Sequence, residues 1–220
     1  MLTIVPTPIW NLEDMTFRAV RTLKEADYIA CEDTRTTWVL LKHYEISTPT
    51  LSYHSHSGQA KTEKILDMLK NGKHVTLVSD AGTPGISDPG YTLVRDAISA
   101  GFEVTALPGP SAVITALSAS GLPSNHFLYL GFLPVKKWRQ TLLKKISTKQ
   151  EESIVIYESV HRIEKTLGDL ELYFSGEKSI VVWRELTKKF EQYIRGTITE
   201  VRLYFQENKD KIKGEFVIIL

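Results

Sequence analysis

Strand-length apolar runs alternate with helix-length amphipathic stretches along the first half of this chain, and that alternation restricts it to an α/β fold. Residues 2–5, 28–31, 50–53, 74–78 and 103–107 read as strands, and residues 15–26, 34–43, 60–69, 91–100 and 111–119 read as helices. In the first helix Phe17, Val20 and Leu23 repeat at a spacing of three and predict its buried face. Every strand is followed by a connection of about a dozen residues or more, the length that parallel pairing requires. A mainly parallel sheet with helices packed on it is expected.

The sequence Gly121-Leu122-Pro123-Ser124-Asn125 interrupts the helical pattern and marks the boundary between a domain of residues 1–120 and one of residues 121–220. The electrostatic character changes there. Residues 1–125 carry 10 Lys and Arg against 13 Asp and Glu, and the remainder carries 17 against 13. Within the second part Lys136, Lys137, Arg139, Lys144, Lys145 and Lys149 precede the first acid, Glu151. That run is either a solvated helix face or a patch for a phosphate backbone. Expected elements are strands at 127–130, 153–157, 179–184, 191–197 and 216–220, with helices at 136–146, 161–174 and 200–206, an α/β lobe with a mixed sheet. No flexible linker separates the halves, so they are expected to pack together and to hold a ligand in the cleft.

The run ending at Val78 leads into Ser79-Asp80-Ala81-Gly82-Thr83-Pro84-Gly85-Ile86-Ser87-Asp88-Pro89-Gly90. Gly and Pro there fix backbone angles that other residues resist, while Asp80, Thr83, Ser87 and Asp88 supply acceptors and hydroxyls. A loop of this kind at the carboxyl end of a strand is where an open α/β sheet places its ligand, although a stiffened structural turn has the same composition. The turn Pro6-Thr7-Pro8-Ile9-Trp10-Asn11 after the first strand lacks the glycines of a pyrophosphate grip, and there is no Walker loop, His-Glu-x-x-His or Gly-x-Ser-x-Gly. ATP, NAD and zinc-peptidase chemistry are thereby disfavoured. The lone Cys31 stands in an apolar strand and reads as a buried thiol. The absence of an apolar run of membrane-spanning length and of a charged leader leads to the expectation of a soluble cytoplasmic protein.

Seven motifs, taken in order, carry a family resemblance: Val5-Pro6-Thr7-Pro8-Ile9; Glu32-Asp33-Thr34-Arg35; the loop 79–90; Leu107-Pro108-Gly109-Pro110-Ser111; Tyr157-Glu158-Ser159 with His161-Arg162; Arg184-Glu185-Leu186-Thr187-Lys188; and Lys213-Gly214-Glu215. From Leu2 to Leu220 the chain resembles the ribosomal RNA small-subunit methyltransferase I group of the tetrapyrrole methylase superfamily. The resemblance implies a two-domain α/β homodimer that uses S-adenosylmethionine to methylate a ribose 2′-hydroxyl of a cytidine in 16S ribosomal RNA of the small subunit, without a metal. It implies a cofactor pocket of Ile9, Asp80, Thr83, Ile86, Ser111, Ala112, Tyr157, Trp183, Glu215 and Phe216. Trp10 stands where the group usually has Gly and Trp183 where it usually has Ala, so two indoles are expected to flank the cofactor. The extension that the group carries beyond the last strand is not in this sequence, and substrate contacts made there are not assigned.

A sulfonium methyl is already electrophilic, so the protein's task is to align the attacking oxygen and to manage its proton. Glu32, Asp33, Arg35, Glu185 and Lys188 lie just past apolar strands and are the candidates for that work, with a salt-bridged structural role as the other reading. His54 and His56 follow in a loop past the third strand. Two other functions share the same pocket: a precorrin-type tetrapyrrole C-methyltransferase, and a non-catalytic RNA- or cofactor-binding homologue with its pocket plugged by Trp10 and Trp183.

Overall fold

A computed structural model describes residues 1–54, 58–88, 90–148 and 152–220, so His56, Pro89, Lys149 and Glu151 lie outside the described residues. Two compact units are formed, Met1–Ser111 and Ala112–Leu220.

The first unit contains strands β1 (Leu2–Ile4), β2 (Tyr28–Cys31), β3 (Thr50–Ser52), β4 (Val75–Leu77) and β5 (Val104–Ala106), joined by helices α1 (Phe17–Glu25), α2 (Thr34–His43), α3 (Gln59–Lys70) and α4 (Tyr91–Ser99). The strands lie in the order β3-β2-β4-β1-β5 and every neighbouring pair is parallel. Both faces are covered, as a parallel sheet requires. Val5, Ile29, Cys31 and Val78 pack with Ala19, Leu23, Leu40 and Leu41 of α1 and α2. Leu2, Ile4, Val75 and Leu77 pack with Ile65, Leu69, Leu93 and Ala97 of α3 and α4. The connection leaving β1 runs toward β2 on one side, and that leaving β4 runs toward β5 on the other. Adjacent strands whose connections part in this way open a crevice at their carboxyl ends.

Helix α1 corrects one expectation. Thr16 caps it by accepting from the Ala19 amide at 3.1 Å, which makes Phe17 its first residue. The buried face is the Ala19/Leu23 pair, four apart, and Phe17 is 98 % exposed. A spacing of three drifts around a helix that turns every 3.6 residues.

The second unit begins with α5 (Ala112–Ser118) and holds strands β6 (Phe127–Phe132), β7 (Ser153–Ser159), β8 (Ser179–Arg184), β9 (Gln192–Thr197) and β10 (Glu215–Ile219), with helices α6 (Arg139–Ile146), α7 (Ile163–Tyr173) and α8 (Ile198–Glu207). The order is β6-β7-β10-β8-β9; β6 and β7 pair in parallel and the other neighbours are antiparallel. One face of the sheet, with Ile154, Ile156, Val182, Phe216 and Ile218, packs on Leu143, Leu167, Val201 and Phe205 of the three later helices. The other face carries the row Tyr157, Val217, Trp183 and Tyr193, aligned across β7, β10, β8 and β9, and α5 packs against β10. Helix α8 opens with a reciprocal cap between Thr197 and Glu200.

Helix α6 starts at Arg139 instead of residue 136, because Trp138 has left-handed backbone (φ 70°) and cannot extend it backward. Arg139 itself is a second correction. Its guanidinium turns inward, so the basic run offers one phosphate ligand fewer than the sequence suggested.

Candidate active site

Three neighbouring strands, β4, β1 and β5, bring their carboxyl-end loops together in the first unit. Thr7 and Gly82 exchange backbone hydrogen bonds of 2.9 and 3.0 Å, and the Thr7 hydroxyl donates to the Ser79 carbonyl at 3.0 Å. The Thr83 hydroxyl donates to the Pro110 carbonyl at 2.9 Å, tying the loop after β4 to the turn after β5. Gly109 sits so close to Pro6 that a Cβ there would lie 2.7 Å from the proline Cβ, which explains the glycine between two prolines. Of the residues carried over as cofactor contacts, Asp80, Thr83 and Ser111 are half-buried on these loops, Ile9 is buried and Ile86 is exposed. Trp10 is exposed beside Ile9.

Carboxylates converge at the carboxyl ends of β2 and β4. Asp33 caps α2, accepting from the Arg35 amide at 2.8 Å, and pairs with the Arg35 guanidinium at 2.6 Å. Those hydrogen bonds lower the Asp33 pKa to about 2. The Asp33 amide donates in turn to Asp80 at 3.1 Å. Burial, then the neighbouring acids, raise the pKa of Glu32, and burial is the main cause of the rise at Asp80. Asp88 is raised furthest, to about 6, by burial and by Glu32, against a hydrogen bond from Ser79. The sequence marks Asp88 as one of the loop's acceptors; burial, the property that distinguishes it, has no local sequence signal. An acid raised in the fold contributes stability below its ordinary pKa and loses that contribution as the pH climbs through about 6. Asp88→Asn should therefore be more stable than the parent at about pH 7.5, by about 1 kcal/mol once partial solvent exposure is allowed for. Urea midpoints at about pH 7.5 and pH 4 check this: a pH-independent gap between the two proteins would show that Asp88 titrates normally.

A second polar cluster belongs to the second unit. Lys188 donates to Glu185 at 2.9 Å and to Glu215 at 3.1 Å. Burial disfavours its ammonium, but the two carboxylates outweigh this and hold its pKa above the ordinary lysine value. Lys188 is therefore a fixed cation and not a proton acceptor at neutral pH. Glu185 and Thr187 have φ of 55° and 65°, and strained backbone of this kind collects at functional sites. Gly214 lies under the Glu185 carboxylate, where an added Cβ would come within 1.8 Å of Oε1. The Trp183 indole NH and the Thr187 hydroxyl are buried with no hydrogen-bond partner among the described residues. Trp183 lies 5.0 Å from the Tyr193 ring, Tyr157 meets Tyr129 and Phe132 edge-on, and Ala112 opens α5 half-buried. The Glu215 side chain is mostly exposed. Phe216 departs from expectation: its ring is buried 5.7 Å from Phe205, on the helix side of the sheet and away from the Tyr157/Trp183 face. It can offer a ligand only its backbone.

Other motif residues serve the fold. Arg184 is buried and donates to the carbonyls of Lys211 at 2.6 Å and Phe190 at 2.8 Å. Glu158 is fully buried, accepting from Thr166 at 2.6 Å and from Arg162 at 3.2 Å. A cavity of about 660 Å³ opens at the opposite end of the same sheet, beside Ser153, Lys178, Ser179 and Leu220, and none of the candidate residues lines it. Among the described residues no helix is long and apolar enough to cross a membrane.

Residues 1–202 match the family of Tetrapyrrole (Corrin/Porphyrin) Methylases, and the chain belongs to that family. Within it, the chain is 48 % identical over 220 residues to the ribosomal RNA small subunit methyltransferase I of Bacillus subtilis (strain 168), an alignment covering all of this chain and 74 % of the relative. Among solved structures, a diphthine synthase superimposes with a TM-score of 0.75 at 12 % identity, covering 100 % of this chain and 89 % of the other. A uroporphyrin-III C-methyltransferase from Thermus thermophilus, complexed with S-adenosyl homocysteine, superimposes with a TM-score of 0.65 at 16 % identity, covering 99 % and 96 %. These structural likenesses concern the fold alone.

Proposed function

We propose that this chain transfers the methyl group of S-adenosylmethionine to a ribose 2′-hydroxyl of a cytidine in 16S ribosomal RNA of the small subunit. The observation that carries the reading is identity of 48 % along the entire chain to a ribosomal RNA methyltransferase. Likeness to the tetrapyrrole enzyme is confined to the fold, at 16 % identity, and this disfavours a tetrapyrrole carbon as acceptor. A cytoplasmic location and assembly as a homodimer belong to the same proposal.

The residues present suit the methyl donor. Ile9 and Ile86 supply apolar wall, Asp80, Thr83 and Ser111 supply polar points, and the unpartnered indole NH of Trp183 is a buried donor that lacks an acceptor. Tyr157, Glu215, Ala112 and the backbone of Phe216 complete the proposed set. Bound there, S-adenosylmethionine supplies an activated sulfonium methyl. The chain must then receive a proton from a hydroxyl that is a poor nucleophile when neutral. Glu32 and Asp88, with pKa values raised toward neutrality, are the acceptors that could do so. Lys188 and Arg35, both held as cations by carboxylates, suit stabilisation of the developing oxyanion. Lys188→Ala should thus reduce turnover by about tenfold or more with little change in cofactor affinity.

The deciding experiment is methyl transfer from labelled S-adenosylmethionine to 30S particles lacking the modification, run beside a porphyrinoid acceptor. Label is expected at one cytidine ribose. Label in the porphyrinoid, or none in the particle, would overturn the proposal.

A further inference from the structure

The loop that opens α6 is held rigidly from inside while presenting its side chains to solvent. Arg139, 4 % exposed, donates to Asp169 at 2.7 Å, to the Thr166 hydroxyl at 2.8 Å and to the Pro134 carbonyl at 3.2 Å. Arg162 donates to the Leu133 carbonyl at 2.5 Å. With both carbonyls pinned and Arg139 drawn inward, Trp138 takes the left-handed backbone that a bulky residue rarely adopts. Such a conformation persists where the surroundings over-determine it, and residues of this kind cluster at functional sites. Its outcome here is an indole left 65 % exposed. Lys137 Nζ lies 5.3 Å from the ring centroid, Val135, Lys136 and Lys137 are exposed beside it, and Lys144 and Lys145 are exposed on α6. Residues 133–148 contain no carboxylate.

A fixed aromatic face with an ammonium group over it and further exposed lysines beside it matches an unpaired nucleobase and its flanking phosphates. We propose that Trp138 is a stacking platform for a single-stranded base of the RNA substrate, with Lys136 and Lys137 on the adjoining phosphates. The inference rests on the ribosomal RNA reading above and extends it to a recognition residue outside the cofactor contacts. A duplex presents no free base face, so the surface should prefer single strands.

Fluorescence anisotropy with a short labelled oligocytidylate, and with the same strand in a duplex, tests this without any methyl donor. Trp138→Ala should weaken single-strand binding by about tenfold, within the range of one stacked base, and leave the salt dependence unchanged. Trp138→Phe should restore most of the loss. The Lys136→Ala, Lys137→Ala double variant should instead flatten the slope of log K against log salt by about 1.4, or about 0.7 for each phosphate contact. Trp138→Gly, which suits left-handed backbone, keeps the test valid if alanine disturbs the fold. Affinity within twofold of the parent in a folded Trp138 variant, or equal binding of duplex and single strand by the parent, overturns the proposal. So does a change in oligomeric state on substitution, which would assign the indole to a protein contact, or loss of binding to anionic vesicles with RNA binding intact. A parent that binds oligocytidylate through Trp138 but methylates no 30S particle removes the substrate reading alone, and the reverse pattern removes this inference alone.

Discussion

Glu158→Ala is expected to lower the unfolding free energy by about 3–5 kcal/mol, the cost of breaking a buried charge network by deleting one partner. Glu158 is 1 % exposed and accepts from the Ser159 amide at 2.8 Å, the Thr166 hydroxyl at 2.6 Å and the Arg162 guanidinium at 3.2 Å. Thr166 is also the acceptor for Arg139 at 2.8 Å, so one carboxylate organises two guanidinium groups. Without it, Arg162 loses its carboxylate and the Thr166 hydroxyl loses its acceptor inside a packed core. Glu158→Gln keeps the shape and removes the charge, and should fall between the alanine variant and the parent. Urea denaturation with an unchanged m-value measures the difference; a loss below about 1 kcal/mol would mean that water reaches the network. The effect should extend to RNA, because Arg162 and Arg139 hold the carbonyls of Leu133 and Pro134 from which the Trp138 loop springs.

Much of the fold was legible in the sequence because local signals and tertiary structure agree. The strands Tyr28–Cys31 and Ser179–Arg184 and the helix Thr34–His43 fall where the alternation of apolar runs and amphipathic stretches places them. Elements failed where direction depends on distant partners. Arg139 reads as one more surface cation until Asp169 and Thr166, on another helix, draw it inward. Phe216 reads as pocket lining until strand register is known. Val217 pairs with both Tyr157 and Trp183, and this puts Phe216 with Glu158 and Arg184 on the opposite face. The compact units divide between Ser111 and Ala112, with α5 packed against β10 about a hundred residues away. The raised pKa of Asp88 is likewise a property of burial beside Glu32, which no spacing encodes.

Thr83→Trp is expected to weaken S-adenosylmethionine binding by at least about a hundredfold in a protein that still folds, a difference of about 2.7 kcal/mol or more. The Thr83 side chain points at the turn after β5, where its hydroxyl donates to Pro110 at 2.9 Å. That turn cannot retreat freely, because Gly109 is packed against Pro6 and the Pro6–Pro8 turn is itself bonded to Gly82 through Thr7. An indole at position 83 must displace the linked turns or swing over the ends of β4 and β1, and either movement fills the space proposed for the ligand. Thr83→Ala separates exclusion from simple loss of a contact. It removes one hydrogen bond, at about 1 kcal/mol of stability, and adds no bulk. Calorimetric titration of both variants, beside their thermal unfolding, should show the alanine protein binding within a few-fold of the parent and the tryptophan protein failing to bind. If both bind alike and unfold like the parent, the crevice at β4 and β1 does not hold the methyl donor, and the search moves to the Lys188 cluster and the unpartnered Trp183 indole of the second unit.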